Sequence, residues 1–357
     1  MRELLIIITL TISSTLSAQL TTIPDASFES ALIFKGLDTG TVNGVVPTNF
    51  IDTVTILSVS TAGISDLTGI EDFTAIQYLQ CDNNVLSSLN VTQNTALVDL
   101  ECSYNYISNL DLSQNPNLSE LSCSWGWLSS LDLSNNPAIE SVFCFENPLS
   151  SINVTQNTSL ITLYVGNLLS SLDVTQNIAL ETLGCGSNNN LSGLDLSKNI
   201  ALTKLICNNN QLQCVNIKNG NNTNMTQFLA QNNPNLMCIE VDNSTYSTSN
   251  WTNVDAGVTF STNCGNPCST FGVGIDELSS SSISIHPNPT QDRIIVSLEE
   301  GTATSVTIRN SLGQLLLSNK TPSTNQVELD LSSYPTGIYF LQLEVDGQVI
   351  TKKVVKE

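Results

Sequence analysis

A single pattern returns every 21 residues between Leu79 and Leu212, and it leaves few folds open to this chain. Leu97-x-x-Leu100-x-Cys102-x-x-Asn105-x-Ile107-x-x-Leu110-Asp111-Leu112-x-x-Asn115 is one copy. Cys81, Cys102, Cys123, Cys144, Cys185 and Cys207 mark one beat, with Val165 in the place of a missing cysteine. Asn94, Asn115, Asn136, Asn157, Asn177 and Asn199 mark a second. A fixed period of this length means stacked units, each burying its neighbour's apolar face, and so a solenoid. Strands are expected around Leu57, Leu79, Leu100, Leu121, Val142, Leu163, Leu183 and Leu205. Alternation points Leu100 and Cys102 inward and Glu101 and Ser103 outward. Eight rungs about 4.8 Å apart make a rod of roughly 35–40 Å. An inward Asn can satisfy turn amides that an apolar residue could not.

Each half of the unit repeats the other: Leu-x-x-Leu-x-Cys-x-x-Asn, then Leu-x-x-Leu-Asp-Leu-x-x-Asn. This resembles a leucine-rich repeat in its 21-residue nested form, sometimes called the IRREKO type. The resemblance implies a leucine-rich-repeat solenoid of parallel β rungs with little helix, and an Asn ladder that bonds the turns. It covers residues 57–212. Ahead of it, residues 19–56 read as an N-terminal cap, with Asp25 as N-cap of a helix whose apolar face is Phe28, Ala31 and Leu32. Residues 213–264 read as the C-terminal cap of the solenoid, and resemble the terminal segment of exported leucine-rich-repeat proteins of Bacteroidetes-type bacteria.

The ten cysteines fall into two groups. The six on the beat read as buried thiols, because Cys is a small, commonly buried side chain. Parallel rungs also hold neighbouring Cβ atoms about 4.8 Å apart, beyond the favoured bridge distance of about 3.5–4.5 Å. Cys214, Cys238, Cys264 and Cys268 lie off the beat, where an exported solenoid needs a staple. Cys214–Cys238 is the first bridge expected and Cys264–Cys268 the second; sequence alone leaves three fully paired schemes open.

Residues 1–18 read as a signal peptide cut between Ala18 and Gln19, although Leu16 is large for its place near the cut. No apolar stretch reaches the ~18 residues of a transmembrane segment. Residues 265–282, with Gly265, Pro267, Gly272, Gly274 and Ser279 to Ser282, read as a linker. Seven short alternating runs follow in 283–357, the mark of a small antiparallel β-sandwich. Pro287-Asn288-Pro289, Asn310-x-x-Gly313-Gln314, Pro335-x-Gly337-Ile338-Tyr339 and Lys352-Lys353-Val354-Val355-Lys356 come in order there. These motifs resemble the C-terminal sorting domain of type IX secretion. The resemblance implies contact with that machinery through 283–357 and a secreted or outer-surface location.

Charge and composition exclude several classes of function. Residues 19–282 carry four Lys, no Arg and 23 acids, net −19. Such a surface repels phosphate backbones, so nucleic acid is not an expected partner. His286 is the one histidine, and it lies in the tail. Without it, Ser-His-Asp and Cys-His mechanisms and most zinc hydrolase designs are out. No metal site and no cofactor are expected, and the chain reads as a non-enzyme. Asp111, Asp132, Asp173 and Asp195 share one repeating slot and read as a solvated stripe with Asn90 and Asn153.

Of the 20 Phe, Trp and Tyr in the chain, seven fall on four consecutive rungs: Tyr104, Tyr106, Trp125, Trp127, Phe143, Phe145 and Tyr164. Alternation turns Phe143, Phe145 and Tyr164 outward. Tyr104 and Trp125 occupy the exposed slot two residues after the cysteine, while alternation leaves the direction of Tyr106 and Trp127 open. On the same rungs Gly126 replaces a ladder Asn, and one residue is deleted after Val165. An outward aromatic patch marks a contact surface. Its acidic neighbours, Glu101, Asp132 and Glu146, favour a basic protein or a neutral glycan. The expected function is ligand capture or adhesion at the bacterial surface. The alternative is a scaffold without a discrete ligand.

Overall fold

The computed structural model describes residues 19–166, 168–188, 190–265, 268, 283–298, 303–310, 314–345 and 348–356. The signal peptide ending at Ala18 and nearly all of the 265–282 linker lie outside the described residues. The chain divides into two compact units, residues 1–273 and 274–357.

The first unit is a stack of short, mostly parallel strands with two α-helices. Its main sheet has nine strands, in spatial order Gln227–Leu229, Lys204–Ile206, Thr182–Gly184, Thr162–Gly166, Ser141–Phe145, Glu120–Ser122, Asp99–Glu101, Tyr78–Gln80 and Ile56–Ser58. Register is kept throughout: Leu57, Leu79, Leu100, Leu121, Val142, Leu163, Leu183, Leu205 and Phe228 lie side by side. All nine are buried. The ninth strand, past Leu212, comes with a rung stretched by an Asn-rich insertion. Ala230 stands in its cysteine slot, which silences the beat.

The second half of each unit builds the opposite wall. Leu89–Asn90 pairs with Leu110–Asp111, and Gly193–Asp195, Cys214–Asn216, Cys238–Glu240 and Thr259–Ser261 form a four-stranded parallel sheet. Between the walls lies one continuous core that runs from Ile23 to Trp251.

Two columns of buried asparagine hold the turns. Asn105 Nδ2 donates to the carbonyls of Cys81 and Cys102, both at 3.0 Å, and its Oδ1 accepts from Leu86 N at 3.0 Å. Asn84, Asn147, Asn188, Asn210 and Asn233 make equivalent bonds. In the second column, Asn115 Nδ2 donates to Val91 O at 3.1 Å and Asn94 O at 2.9 Å. Each side chain thus ties its own rung to the one before, satisfying backbone groups that water cannot reach.

The six beat cysteines are free and buried. Burial pushes Cys102, Cys144 and Cys185 up to about 12, so these thiols stay protonated. The off-beat cysteines correct the expected pairing. Cys214 bonds Cys268, and Cys238 bonds Cys264. Val215 pairs with Ile239, so Cys214 and Cys238 are in-register neighbours on parallel strands. Their Cβ atoms run side by side, as the beat cysteines do, which rules out a bridge for the same reason. The chain beyond Ser261 turns back to supply both partners.

At the entry, Asp25 caps the Ala26–Phe34 helix by accepting from Ser27 N and Phe28 N. Its second oxygen accepts from Ser65 N and Oγ, pinning the cap to the first rung.

The second unit has a three-stranded sheet, Ile283–His286, Arg293–Leu298 and Gln326–Asp330, and a four-stranded one. The latter is ordered Leu315–Thr324, Ala303–Asn310, Gly337–Val345, Gln348–Lys356, and all pairings are antiparallel. Ile294, Val296, Ile308, Leu329, Leu341 and Val354 share its core. The motif residues have structural work. Asn288 clasps the last strand through Val355 N and Lys353 O, both at 2.9 Å. Lys356, 8% exposed, donates to the carbonyls of Leu331 and Tyr334 at 2.8 and 2.7 Å.

Candidate functional site

The repeated Asp slot is a turn device. Asp111, Asp132, Asp173 and Asp195 each accept the N–H two residues on, from Ser113, Ser134, Thr175 and Ser197, at 2.9–3.1 Å. Asn90 and Asn153 do the same. These are Asx turns, which side chains with a short acceptor form. Hydrogen bonds from Ser113 and Ser134 hold Asp111 and Asp132 below the usual carboxylate range. Among the described residues no His, Cys, Asp or Glu cluster could hold a metal ion.

Five of the seven aromatics come together on four adjacent rungs in the middle of the main sheet. Phe143 and Tyr164 lie in register on adjacent strands, with ring centroids 5.4 Å apart and planes 13° from parallel. Tyr104 and Trp125 stack at 5.7 Å and 8°. Trp125 then meets Phe145 edge to face at 6.2 Å. Since Phe143 and Phe145 point the same way from one strand, the two groups share one face of the sheet. Tyr106 and Trp127 sit one residue past the ladder position, which Asn105 and Gly126 fill, and are 56% and 63% exposed. Among the described residues they make no ring contact with the other five.

Glycines shape the far end of this patch. A Cβ at Gly184 would lie 2.3 Å from Tyr164 Cδ1, so only glycine lets that ring lean over the next strand. A hollow of about 210 Å³ follows, lined by Phe145, Glu146, Tyr164, Gly166, Gly184 and Gly186. Lys204 Nζ stands 5.6 Å from the Tyr164 ring centroid, within cation–π range. Larger hollows occur at the two ends of the solenoid, lined by cap residues and by the disulfide cysteines.

Backbone geometry adds what alternation could not show. Thr61, Asn83, Tyr104, Trp125, Glu146, Ser187, Asn209 and Asn232 all have φ between 54° and 61°. The slot before the ladder position is therefore left-handed in rung after rung. Asn suits this conformation, whereas a bulky side chain there costs on the order of 1 kcal/mol or more. Tyr104 and Trp125, 51% and 46% exposed, hold it nonetheless. The Asn slots were the available hint, since Asn is enriched at positive φ.

The acidic surroundings also need correction. Asp132 lies on the opposite wall, bridged to Asn153. The carboxylates beside the aromatics are Glu101, Glu146, Asp99 and Glu120, the last two not singled out from sequence. Partial burial, then Glu101 and Glu120, raise Asp99 to about 6.

Residues 284–357 match the family model of the secretion system C-terminal sorting domain. The functional domain of InlJ from Listeria monocytogenes, described as including a cysteine ladder, is similar at 29% identity and a TM-score of 0.57. The match covers 64% of this chain and 53% of that one, so the chain spans about half the length of this relative. Internalin C2 of Listeria monocytogenes matches at 19% identity and a TM-score of 0.50, over 63% of this chain and 98% of the other. No curated protein sequence matches. No helix among the described residues is long and apolar enough to cross a membrane. The first unit thus has the leucine-rich-repeat solenoid fold, and residues 284–357 are a type IX secretion sorting domain, which marks the chain for export.

Proposed function

We propose that this is a non-enzymatic recognition protein that captures a protein ligand through Tyr104, Trp125, Phe143, Phe145 and Tyr164. The observation that carries this reading is the pair of ring stacks side by side on one face of the main sheet. Equivalent slots on other rungs hold Gln80, Asp82, Gly184 and Asn208. Rigid aromatics lose little side-chain entropy on binding and dominate protein interfaces. Tyr106 and Trp127 extend the same rungs and belong to the outer margin of the contact.

The test is a competed pull-down from the native surface fraction with wild-type protein and the Trp125→Ala/Phe143→Ala variant, beside a glycan array. A protein retained by wild type, displaced by excess unlabelled wild type and lost from the variant is the expected result. Full retention by the variant removes the patch from the reading. Binding confined to neutral glycans replaces a protein ligand with a sugar, and no saturable binding leaves the scaffold reading.

A further inference from the structure

Two unrelated costs fall on the same two rungs. The first is conformational: Tyr104 and Trp125 are the two aromatics in a left-handed slot that holds Asn83, Asn209 and Asn232, and Thr61, Glu146 and Ser187, on the other rungs. The second is electrostatic. Asp99 lies in register with Glu120 on the next strand, and Glu101 shares the outward face. Neighbouring strands are about 4.8 Å apart, and like charges directly opposite destabilise a sheet. Among the described residues every salt bridge lies within 292–356, so none of these three carboxylates is paired with a cation. The same register slot on other strands holds Ile56, Tyr78, Ser141, Thr162, Thr182, Lys204 and Gln227.

Residues that occur elsewhere in this chain would relieve both costs. Costs retained together at an exposed surface point to a ligand that offsets them. A cation offsets the carboxylates, and the aromatics accept both its apolar stem and its charge. Lys204 over Tyr164 already makes such a contact from within the chain. The span from the Asp99 strand to the Tyr164 strand is three steps, about 14 Å, which about four extended residues cover.

We propose that the outer face of these rungs docks an extended, basic protein segment. Its Lys or Arg side chains meet Asp99, Glu101 and Glu120, while its apolar groups lie along Tyr104, Trp125 and Phe145. This rests on the aromatic rungs being the recognition surface. It adds the charge and shape of the partner.

The probes are three fluorescein-labelled octapeptides of one apolar pattern, bearing Lys, Gln or Glu at alternate positions. Fluorescence anisotropy follows binding to the purified full-length chain, to Asp99→Asn/Glu120→Gln and to Tyr104→Asn/Trp125→Asn. The Lys peptide binds wild type about tenfold or more tighter than the Gln peptide, the Glu peptide does not bind, and added salt weakens the complex. Each double variant loses about tenfold or more, with a melting temperature equal to or above that of wild type. Equal binding of the Lys and Gln peptides, or no effect of the charge variant, overturns the basic partner. The aromatic reading survives that result if Trp125→Ala/Phe143→Ala still loses its captured protein. Absence of Lys-peptide binding at millimolar concentration overturns the proposal too. A melting temperature several degrees lower in Tyr104→Asn/Trp125→Asn makes those rings structural and removes the argument from cost.

Discussion

Asn83 and Trp125 occupy the same slot of the repeat two rungs apart, with φ of 54° and 55°. Their backbone N–H groups do the same work, donating to the next rung at Ser103 O and Phe145 O. The backbone has not changed between them, and only the side chain has. Asparagine, at Asn83, Asn209 and Asn232, is the commonest residue in this slot, and tryptophan is one that it tolerates at a cost. A repeat protein carries its own controls: the regular rungs show what the fold asks for, so a departure on an unchanged backbone answers to something else. The Asn ladder and the buried thiols belong to the first kind of feature, and the aromatic rungs to the second.

Among substitutions within the repeats, the largest expected effect checks the regular side of this contrast. Asn105→Ala strands the carbonyl of Cys102 and the N–H of Leu86, and leaves Cys81 O with its bond from Asn84 alone. A loss of about 2–4 kcal/mol in urea unfolding is expected. A loss below about 0.5 kcal/mol would show that the ladder is ornamental. Next comes Cys102→Ala, which removes one buried sulfur for about 1 kcal/mol. In the folded wild-type chain an aromatic disulfide reagent at pH 8 modifies none of the six beat thiols, and all six react in denaturant. Fast modification of the native protein would contradict their burial.

The opposite sign is expected on the aromatic rungs. Relief of the left-handed strain in Tyr104→Asn/Trp125→Asn offsets the lost ring contacts, so stability changes by about 0 to +1 kcal/mol. A core aromatic such as Phe73→Ala loses about 3–5 kcal/mol. Similar losses in the two variants would erase the contrast.

The smallest effect is electrostatic. Asp99 titrates near 6 in the folded chain against 3.8 for the free side chain. The folded state therefore holds the extra proton between those values, and stability falls as pH rises through that window. Burial, Glu101 on its own strand and Glu120 on the next cause the shift, with Tyr78 facing from the other side. Asp99→Asn should match wild type below about pH 4 and melt about 1–2 °C higher above pH 6, the size being limited by solvent screening. A gain that persists unchanged at pH 4 would assign it to some other cause.

Much of the solenoid was legible because its period is a covalent fact of the chain. Leu100, Cys102 and Asn105 announce their burial by recurrence. The ninth strand was hidden because Ala230 breaks the beat and its rung is longer. The disulfide partners were hidden because connectivity depends on where the chain after Ser261 turns, which no spacing encodes. Outward rings at Phe143 and Tyr164 follow from alternation. The stack between Tyr104 and Trp125 does not, since alternation stops where φ changes sign. Asp99 and Glu120 went unnoticed as a pair because their proximity exists only across a register.

The thiol column has a consequence for how the molecule comes into being. Its sulfurs are inert only once neighbouring rungs have closed over them, and the chain is destined for an oxidising space. Until then ten cysteines compete, although only Cys214, Cys238, Cys264 and Cys268 have proper partners. Thiol–disulfide exchange takes seconds or longer, whereas short-range stacking of rungs is fast. Rung closure must win that race, so a mutation that merely slows folding would show itself as wrong covalent chemistry. The yield of correctly bridged protein is then a clock for the zippering of the rod.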